Sequence, residues 1–189
     1  MPILDHFALI APFYERLIPF RQVGRFEECL DLPANGRLLD VGGGTGRVAQ
    51  AIRHFVSQTY VLDESLGMLL QAKSKNGLSL VCSTSEQLPF GEKTFDRVLV
   101  VDALHHVANQ RLTALEIWRV LKPGGKALIV EPDIRRFSAK LVAVFERLLL
   151  MRSHFLSLDE IVALFPPSQA AVTHQDDDFN LWITVEKKV

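Results

Sequence analysis

Cysteine is scarce in this chain. Cys29 and Cys82 are the only two among 189 residues, too few and too far apart for a disulfide framework or a cysteine metal site. Cys82 lies in an apolar run, which predicts a buried thiol. Neither sign of charge is in excess. The 21 basic and 22 acidic side chains leave a net charge of −1, which removes the broad electrostatic case for nucleic acid or an anionic membrane as partner. No apolar run has the length of a bilayer span; the best candidate, residues 141–151, is interrupted by Glu146 and Arg147. Internal repeats and low-complexity segments are absent. The first residues carry Asp5 and His6 but no basic cluster ahead of their apolar positions, so a secretory leader is not expected and the cytoplasm is the expected location. What is left is one globular domain, long enough for a substantial core and 48% hydrophobic.

The information is concentrated in residues 38–47, LLDVGGGTGR. An apolar run broken only by Asp40 leads straight into Gly42, Gly43, Gly44, Thr45 and Gly46, the pattern of a buried strand that ends in a tight turn. Glycines accept positive φ and have no Cβ, so such a turn can lie against a ligand. The next residues, 47–53, have helical spacing. A strand, a glycine turn and a helix start point backbone N–H groups at whatever sits above the turn. A turn with no ligand is the plainer alternative; four glycines in five residues argue against it. The dinucleotide fingerprint is G-x-G-x-x-G/A. Gly42 and Gly44 fit its first two positions, but the third falls on Arg47, and Gly46 makes the pattern G-x-G-x-G. The following strand, 59–63, ends on Asp63, where a carboxylate can accept bonds from two ribose hydroxyls. The ligand implied is adenosine-like, and no pyrophosphate is demanded.

Along the chain, Pro12 and Pro19 divide residues 1–30 into two short helices. Strands and helices then alternate: strand 37–41, helix 46–55, strand 59–63, helix 65–73, strand 78–82, strand 95–101, helix 110–121, strand 126–130. Pro123-Gly124-Gly125 is expected to stop the helix and start the last of these strands. This rhythm predicts a parallel sheet covered by helices, with ligands at the carboxyl ends of the strands. Residues 138–151 have an apolar helical pattern that suits a core helix or, for a hydrophobic substrate, a lipid-facing one. Ser157-Leu158-Asp159-Glu160 is a capping box opening a helix to Phe165, closed by Pro166-Pro167. Two strand-like runs, about 170–175 and 179–187, are joined by Asp176-Asp177-Asp178, read as a hairpin turn in preference to a metal site.

With LLDVGGGTGR (38–47), the acid of VLDES (Asp63), EQLPF (86–90), FDRVLVVDALHHV (95–107) and RVLKPGGKALIVEPD (119–133) in this order and spacing, the chain resembles the class I S-adenosylmethionine-dependent methyltransferases, in pattern the small-molecule group that includes the quinone C-methyltransferases. The resemblance implies a doubly wound, mostly parallel seven-stranded α/β sheet with an antiparallel C-terminal hairpin. It implies one domain: a helical flap (1–30), a cofactor-binding core (37–133), and C-terminal helices with the hairpin (134–189). It implies S-adenosyl-L-methionine as cofactor and a small-molecule methyl acceptor as partner. Position by position, Gly42, Gly43, Gly44 and Gly46 would form the turn against the cofactor, and Asp40 would sit beneath it and help hold the methionine amino group. Asp63 would bind the ribose, and Val101 and Asp102 would lie near the methionine end. The usual adenine-binding aspartate is replaced by Thr84, between Ser83 and Ser85, so adenine contact falls to the hydroxyl of Thr84 or Ser85. Residues 6–14 would be the flap, with Phe7 or Tyr14 as lid aromatics.

The reaction needs a nucleophile aligned with the methyl and water excluded; some acceptors also need a base. His105 and His106, just past the fourth strand, are the candidates, since imidazole titrates near neutral pH; packing is the competing role. Glu131 and Asp133 face the same mouth in principle, with a structural role open for Glu131. A short segment between the fifth and sixth strands leaves the pocket open, suits a small substrate, or leaves room for a homo-oligomer in which a partner chain completes the site. A non-catalytic cofactor-binding subunit and a nicotinamide-dependent oxidoreductase are the alternative classes. Arg47 and the lack of a second substrate domain count against the latter.

Overall fold

The computed structural model describes residues 22–141 and 153–189. The flap expected over 6–14 and most of the apolar helix expected over 138–151 lie outside the described residues. The elements are α1 (Val23–Leu30), β1 (Ala34–Val41), α2 (Arg47–Ile52), β2 (Val56–Asp63), α3 (Leu66–Ala72), β3 (Leu78–Cys82), β4 (Phe95–Val101), α4 (Gln110–Val120), β5 (Leu121–Pro132), α5 (Leu158–Val162), β6 (Ala170–Asp176) and β7 (Asn180–Lys187), with single 3-10 turns at Arg53–Phe55 and Leu104–His106.

The strands form one sheet in the order β3-β2-β1-β4-β5-β7-β6. β1 to β5 pair in parallel; β7 runs antiparallel to both β5 and β6. The order turns back between β1 and β4, so the loops leaving those strands part there. That opens a crevice at the carboxyl ends, where doubly wound sheets take ligands. Side chains alternate across a strand, and both faces here are covered. Leu39, Val98 and Ile129 join Ile117 of α4 and Ile161 of α5 on one face. Leu38, Leu99 and Leu128 join Phe26 of α1 and Ile52 of α2 on the other. The apolar runs of the sequence are buried strands for this reason.

Three local expectations are corrected. Pro123-Gly124-Gly125 does not precede the strand but lies within it. Phe95 pairs with Leu121 and Arg97 with Lys126, so the intervening residues bulge out of the ladder. Gly124 takes a φ of +74, and a Cβ on Gly125 would stand 2.9 Å from both Leu121 Cδ1 and Lys122 O. α4 ends instead by capping: Lys187 Nζ donates to the carbonyls of Trp118 and Leu121. Second, Cys82 is exposed. It ends the edge strand β3, and its Sγ lies 3.7 Å from the Glu64 carbonyl as a weak donor. Third, β1 begins at Ala34, with an irregularity between Ala34 and Arg37.

The capping box at Ser157 and Glu160 is formed. The acidic run works as a hairpin turn: Asp177 Oδ1 accepts from the N–H groups of Phe179 and Asn180, and Oδ2 accepts from Trp182 Nε1 and Arg25. Arg25 also lies over the Trp182 ring, 4.4 Å from its centroid, which ties α1 to the far end of the sheet. Among the described residues no cluster of His, Cys, Asp and Glu could hold a metal, and no helix is long and apolar enough to cross a membrane.

Candidate active site

A solvent-open cleft lies over the carboxyl ends of β1, β2 and β4, where doubly wound sheets take small ligands. Its floor is the glycine turn. The N–H groups of Gly42 and Gly43 both donate to the Leu62 carbonyl, and Gly46 N–H donates to Gly43 O. Gly42, Gly44 and Gly46 all have positive φ, at 68°, 55° and 71°. Their reasons differ. A Cβ on Gly42 would sit 2.6 Å from Ala103 Cβ, and one on Gly46 2.8 Å from Leu78 Cδ1; on Gly44 the nearest atom is Met68 Cε, 3.4 Å away. Gly44 is therefore required by its backbone conformation and by the cleft, Gly42 also by the protein behind it. Gly44→Ala is expected to cost about 1–2 kcal/mol for the left-handed conformation and still fold. Gly42→Ala should cost more, because its methyl overlaps Ala103. Thermal melts of the two variants check the order, and equal melting temperatures would contradict it. Lys75, beyond α3, braces the turn by donating to Thr45 O at 2.5 Å.

Asp63, at the tip of β2, couples the turn to the next helix. Its Oδ2 accepts from Gly44 N–H and its Oδ1 from Ser65 N–H, each at 2.8 Å, and Ser65 in turn caps α3. A carboxylate oxygen has two lone pairs, so both can accept again from a ligand. Asp40 lies beneath the turn at 1% exposure. It accepts from the Ala49 N–H, but its Oδ2 is buried without a hydrogen-bond partner. Burial first, then repulsion from Asp63, push its pKa up to about 7, with Arg47 acting in the opposite direction. A buried, unpaired acceptor at the wall of a cleft is a site waiting for a donor.

Of the other expected site residues, Ser85, Val101 and Asp102 line the cleft; Thr84 does not, while its neighbour Ser83 does. Ser85 is held by Thr113 of α4, with their hydroxyls 2.9 Å apart. The rest of the 86–90 loop is also fixed by α4 and its cap. Glu86 accepts from Asn109 N–H, Glu116 accepts from Leu88 N–H, and Arg119 donates to the carbonyls of Leu88 and Phe90.

The two histidines separate. His106 lines the cleft, with Nδ1 3.3 Å from Ser153 Oγ. His105 is 3% exposed and outside the lining. Its Nδ1 is 2.5 Å from Glu131 Oε2, and its ring stacks on Phe155 at 4.4 Å. Glu131 Oε1 accepts from the N–H groups of Ala103 and Leu104. Glu131 is thus a clamp under the turn that carries both imidazoles. Asp133 is buried and accepts from Arg135 N–H and the Arg135 guanidinium. Neither acid lines the cleft.

Arg47, Glu64, Met68 and Glu86 also line it and were not picked out as site residues from the sequence. Glu64 and Met68 follow Asp63 closely, and Glu86 stands in the EQLPF motif, so proximity to known site residues was the available signal. With them the charge of the site becomes clear. Five carboxylates, of Asp40, Asp63, Glu64, Glu86 and Asp102, line the cleft against one guanidinium, Arg47, among the described residues. Such a wall suits a ligand that carries positive charge and repels phosphates.

A family model described as "Methyltransferase domain" matches residues 39–129, which span the glycine turn, Asp63 and most of β5. The chain is 31% identical over 163 residues to the ubiquinone/menaquinone biosynthesis C-methyltransferase UbiE of Geobacter sulfurreducens, covering 77% of this chain and 62% of that protein. It is 30% identical over 162 residues to the demethylmenaquinone methyltransferase of Tropheryma whipplei, covering 84% of this chain and 64% of that one. The chain therefore spans less than two thirds of the length of these relatives. A crystal structure of an S-adenosylmethionine-dependent methyltransferase from Thermotoga maritima superposes with a TM-score of 0.77 at 20% identity, over 96% of this chain and 98% of that one; this likeness is one of fold.

Proposed function

We propose that the chain, which a methyltransferase-domain model matches over residues 39–129, transfers a methyl group from S-adenosylmethionine to a small-molecule acceptor. The observation that carries this reading is the pairing of the Gly42–Gly46 turn with Asp63 at the end of β2 and the unpartnered Oδ2 of Asp40 below.

The residues present fit the cofactor. Asp63 offers acceptors for ribose hydroxyls. Gly44 has no side chain between the backbone and the cleft. Asp40, together with the other four acids, suits a ligand bearing both a sulfonium and an ammonium group. The cofactor supplies an electrophilic methyl; the protein must hold the acceptor in line with it and keep water away. The same five carboxylates oppose the pyrophosphate of a nicotinamide dinucleotide. His106, the imidazole on the cleft wall, is the group we assign to proton removal from acceptors that have one to lose. The curated relatives are named for quinone C-methylation, so demethylated quinone rings are the first acceptors to assay.

Calorimetry with S-adenosylmethionine, S-adenosylhomocysteine and NAD is the direct test, followed by transfer of a labelled methyl into quinone precursors and a metabolite pool. Binding of NAD alone would overturn the reading. Binding of S-adenosylmethionine without transfer to any acceptor would favour a non-catalytic subunit. Asp63→Ala should weaken S-adenosylmethionine by about 10- to 100-fold, the loss of a charge-assisted hydrogen bond worth roughly 1.5–3 kcal/mol. An unchanged affinity in a folded variant would remove Asp63 from the site.

A further inference from the structure

A neutral imidazole accepts a proton at one nitrogen and carries one on the other, and the hydrogen bond made at either nitrogen decides which is which. For His106, on the cleft wall, one such bond comes from a distant part of the chain. Its Nδ1 lies 3.3 Å from the hydroxyl of Ser153, 47 residues further on. Ser153 does not line the cleft, so its hydroxyl acts on the imidazole and not on a bound molecule.

The place of Ser153 is fixed. Residues 153–156, which lead into α5, are sewn to the 3-10 turn Leu104–His106. The N–H of His154 donates to the His105 carbonyl at 2.8 Å. Gln110, the first residue of α4, donates through Nε2 to the carbonyls of Leu104 and His154, at 3.0 and 2.6 Å; an amide nitrogen has two protons, one for each. Phe155 stacks on His105, the ring that Glu131 holds. The His106 ring rests in turn against His105, with centroids 4.0 Å apart and planes at 48°. The torsion that spins an imidazole about its stem is soft. Here a held ring beside it and a held hydroxyl at Nδ1 restrict it.

A hydroxyl can accept or donate. If Ser153 donated to Nδ1, Nε2 would carry the ring proton and could not take another. If it accepts, the ring proton sits on Nδ1 and Nε2 is the basic nitrogen. Resting on the assignment of proton removal to His106, we infer that Ser153 is its positioning residue: the hydroxyl accepts from Nδ1–H, fixes that tautomer and makes Nε2 the nitrogen that takes the acceptor's proton. Gln110 keeps Ser153 in reach by bridging the two segments. The acceptor's proton goes to Nε2 and from there to solvent; the acceptor's nucleophilic atom bonds the methyl, and the electron pair of the broken S–CH3 bond stays on sulfur.

Long-range proton–nitrogen correlation spectra of the full chain read the tautomer of each neutral ring with no acceptor present. The chain has six histidines, and the signal lost in His106→Ala identifies this one. The wild type should show the proton on Nδ1. Ser153→Thr keeps the hydroxyl, while Ser153→Val has nearly the shape of Ser153→Thr without it. Ser153→Thr should keep both the tautomer and the transfer rate. Ser153→Val should let the proton return to Nε2 and lower the single-turnover rate by about 2- to 10-fold, the worth of one neutral hydrogen bond. Affinity for S-adenosylmethionine should change by less than about twofold in both. A wild-type ring with its proton on Nε2, a tautomer indifferent to Ser153→Val, or equal rates in Ser153→Thr and Ser153→Val would each overturn the inference. Transfer at the wild-type rate by His106→Ala overturns the base assignment itself, whatever the spectra show of Ser153.

Discussion

Asp40→Asn is expected to make the ligand-free protein more stable above neutral pH while loosening its hold on S-adenosylmethionine. The Asp40 carboxyl is pushed up to about 7 by burial and by Asp63, from an ordinary value of 3.8. Between those values the folded protein keeps a proton on Asp40 that the unfolded chain has released. Folding stability from this group is thus full below the unfolded value, falls as pH rises, and is gone above about 7. The separation is about three pH units, so the ionised buried form costs up to about 4 kcal/mol. Asparagine carries no charge to desolvate and keeps an acceptor for the Ala49 N–H. At about pH 3.5, near the unfolded value, the two proteins should melt together; the gap should open as pH rises, and by about pH 8 the variant should melt well above the wild type. Differential scanning calorimetry across that range is the measurement. Melting curves that stay parallel over the whole range would refute the account. Calorimetric titration should show the opposite ranking for S-adenosylmethionine, because the lost charge is the one the ligand's cationic groups neutralise.

That trade locates what was legible in the sequence. The strand, glycine turn and helix around residues 38–47 are local, so each residue's role follows from its neighbours. The parallel pairing of the first five strands follows from the alternation of strands and helices, while their order does not; Asp63 was legible because it terminates a strand. What the sequence hid is contact between distant segments. For Glu131 the sequence left both a cleft role and a structural one open; only its bonds to Ala103, Leu104 and His105, partners from a loop of another strand, decide for the structural one. Arg47 registered only as the residue that spoils a dinucleotide fingerprint, because its ion pair with Asp102 joins distant segments. Thr84 took the place of the usual adenine-binding aspartate, yet Ser83 and Ser85 on either side line the cleft. β3 has ended at Cys82 and the chain turns here, with Gln87 N–H donating to Thr84 O, so the facing of each side chain follows from a turn that the motif's spacing does not show. Pro123-Gly124-Gly125 signals a break in any helix, but only the pairing of β4 with both Leu121 and Lys126 shows that the strand has already begun.

The paired histidines bring the same lesson to the chemistry, and they should give opposite results. His106→Ala, tested on an acceptor that loses a proton, is expected to lower the transfer rate by about 10²–10⁴-fold, the range for a positioned general base. Affinity for S-adenosylmethionine should stay near normal, since the glycine turn and Asp63 hold it. The rate in the wild type should fall in acid, because an imidazole that has taken a proton from solvent cannot take one from the acceptor. His105→Ala acts elsewhere. It removes the partner of Glu131 Oε2 and the ring stacked on Phe155, leaving a buried carboxylate oxygen without its donor. Its effect should be a lower melting temperature, with cofactor affinity retained in the fraction that folds. Single-turnover rates and melts of both variants separate these outcomes. If His106→Ala transfers at the wild-type rate, alignment of the acceptor alone carries the reaction and both imidazoles are scaffolding. If His105→Ala loses the rate while folding normally, the proton passes to the imidazole bonded to Glu131 instead, and the buried pair is the base.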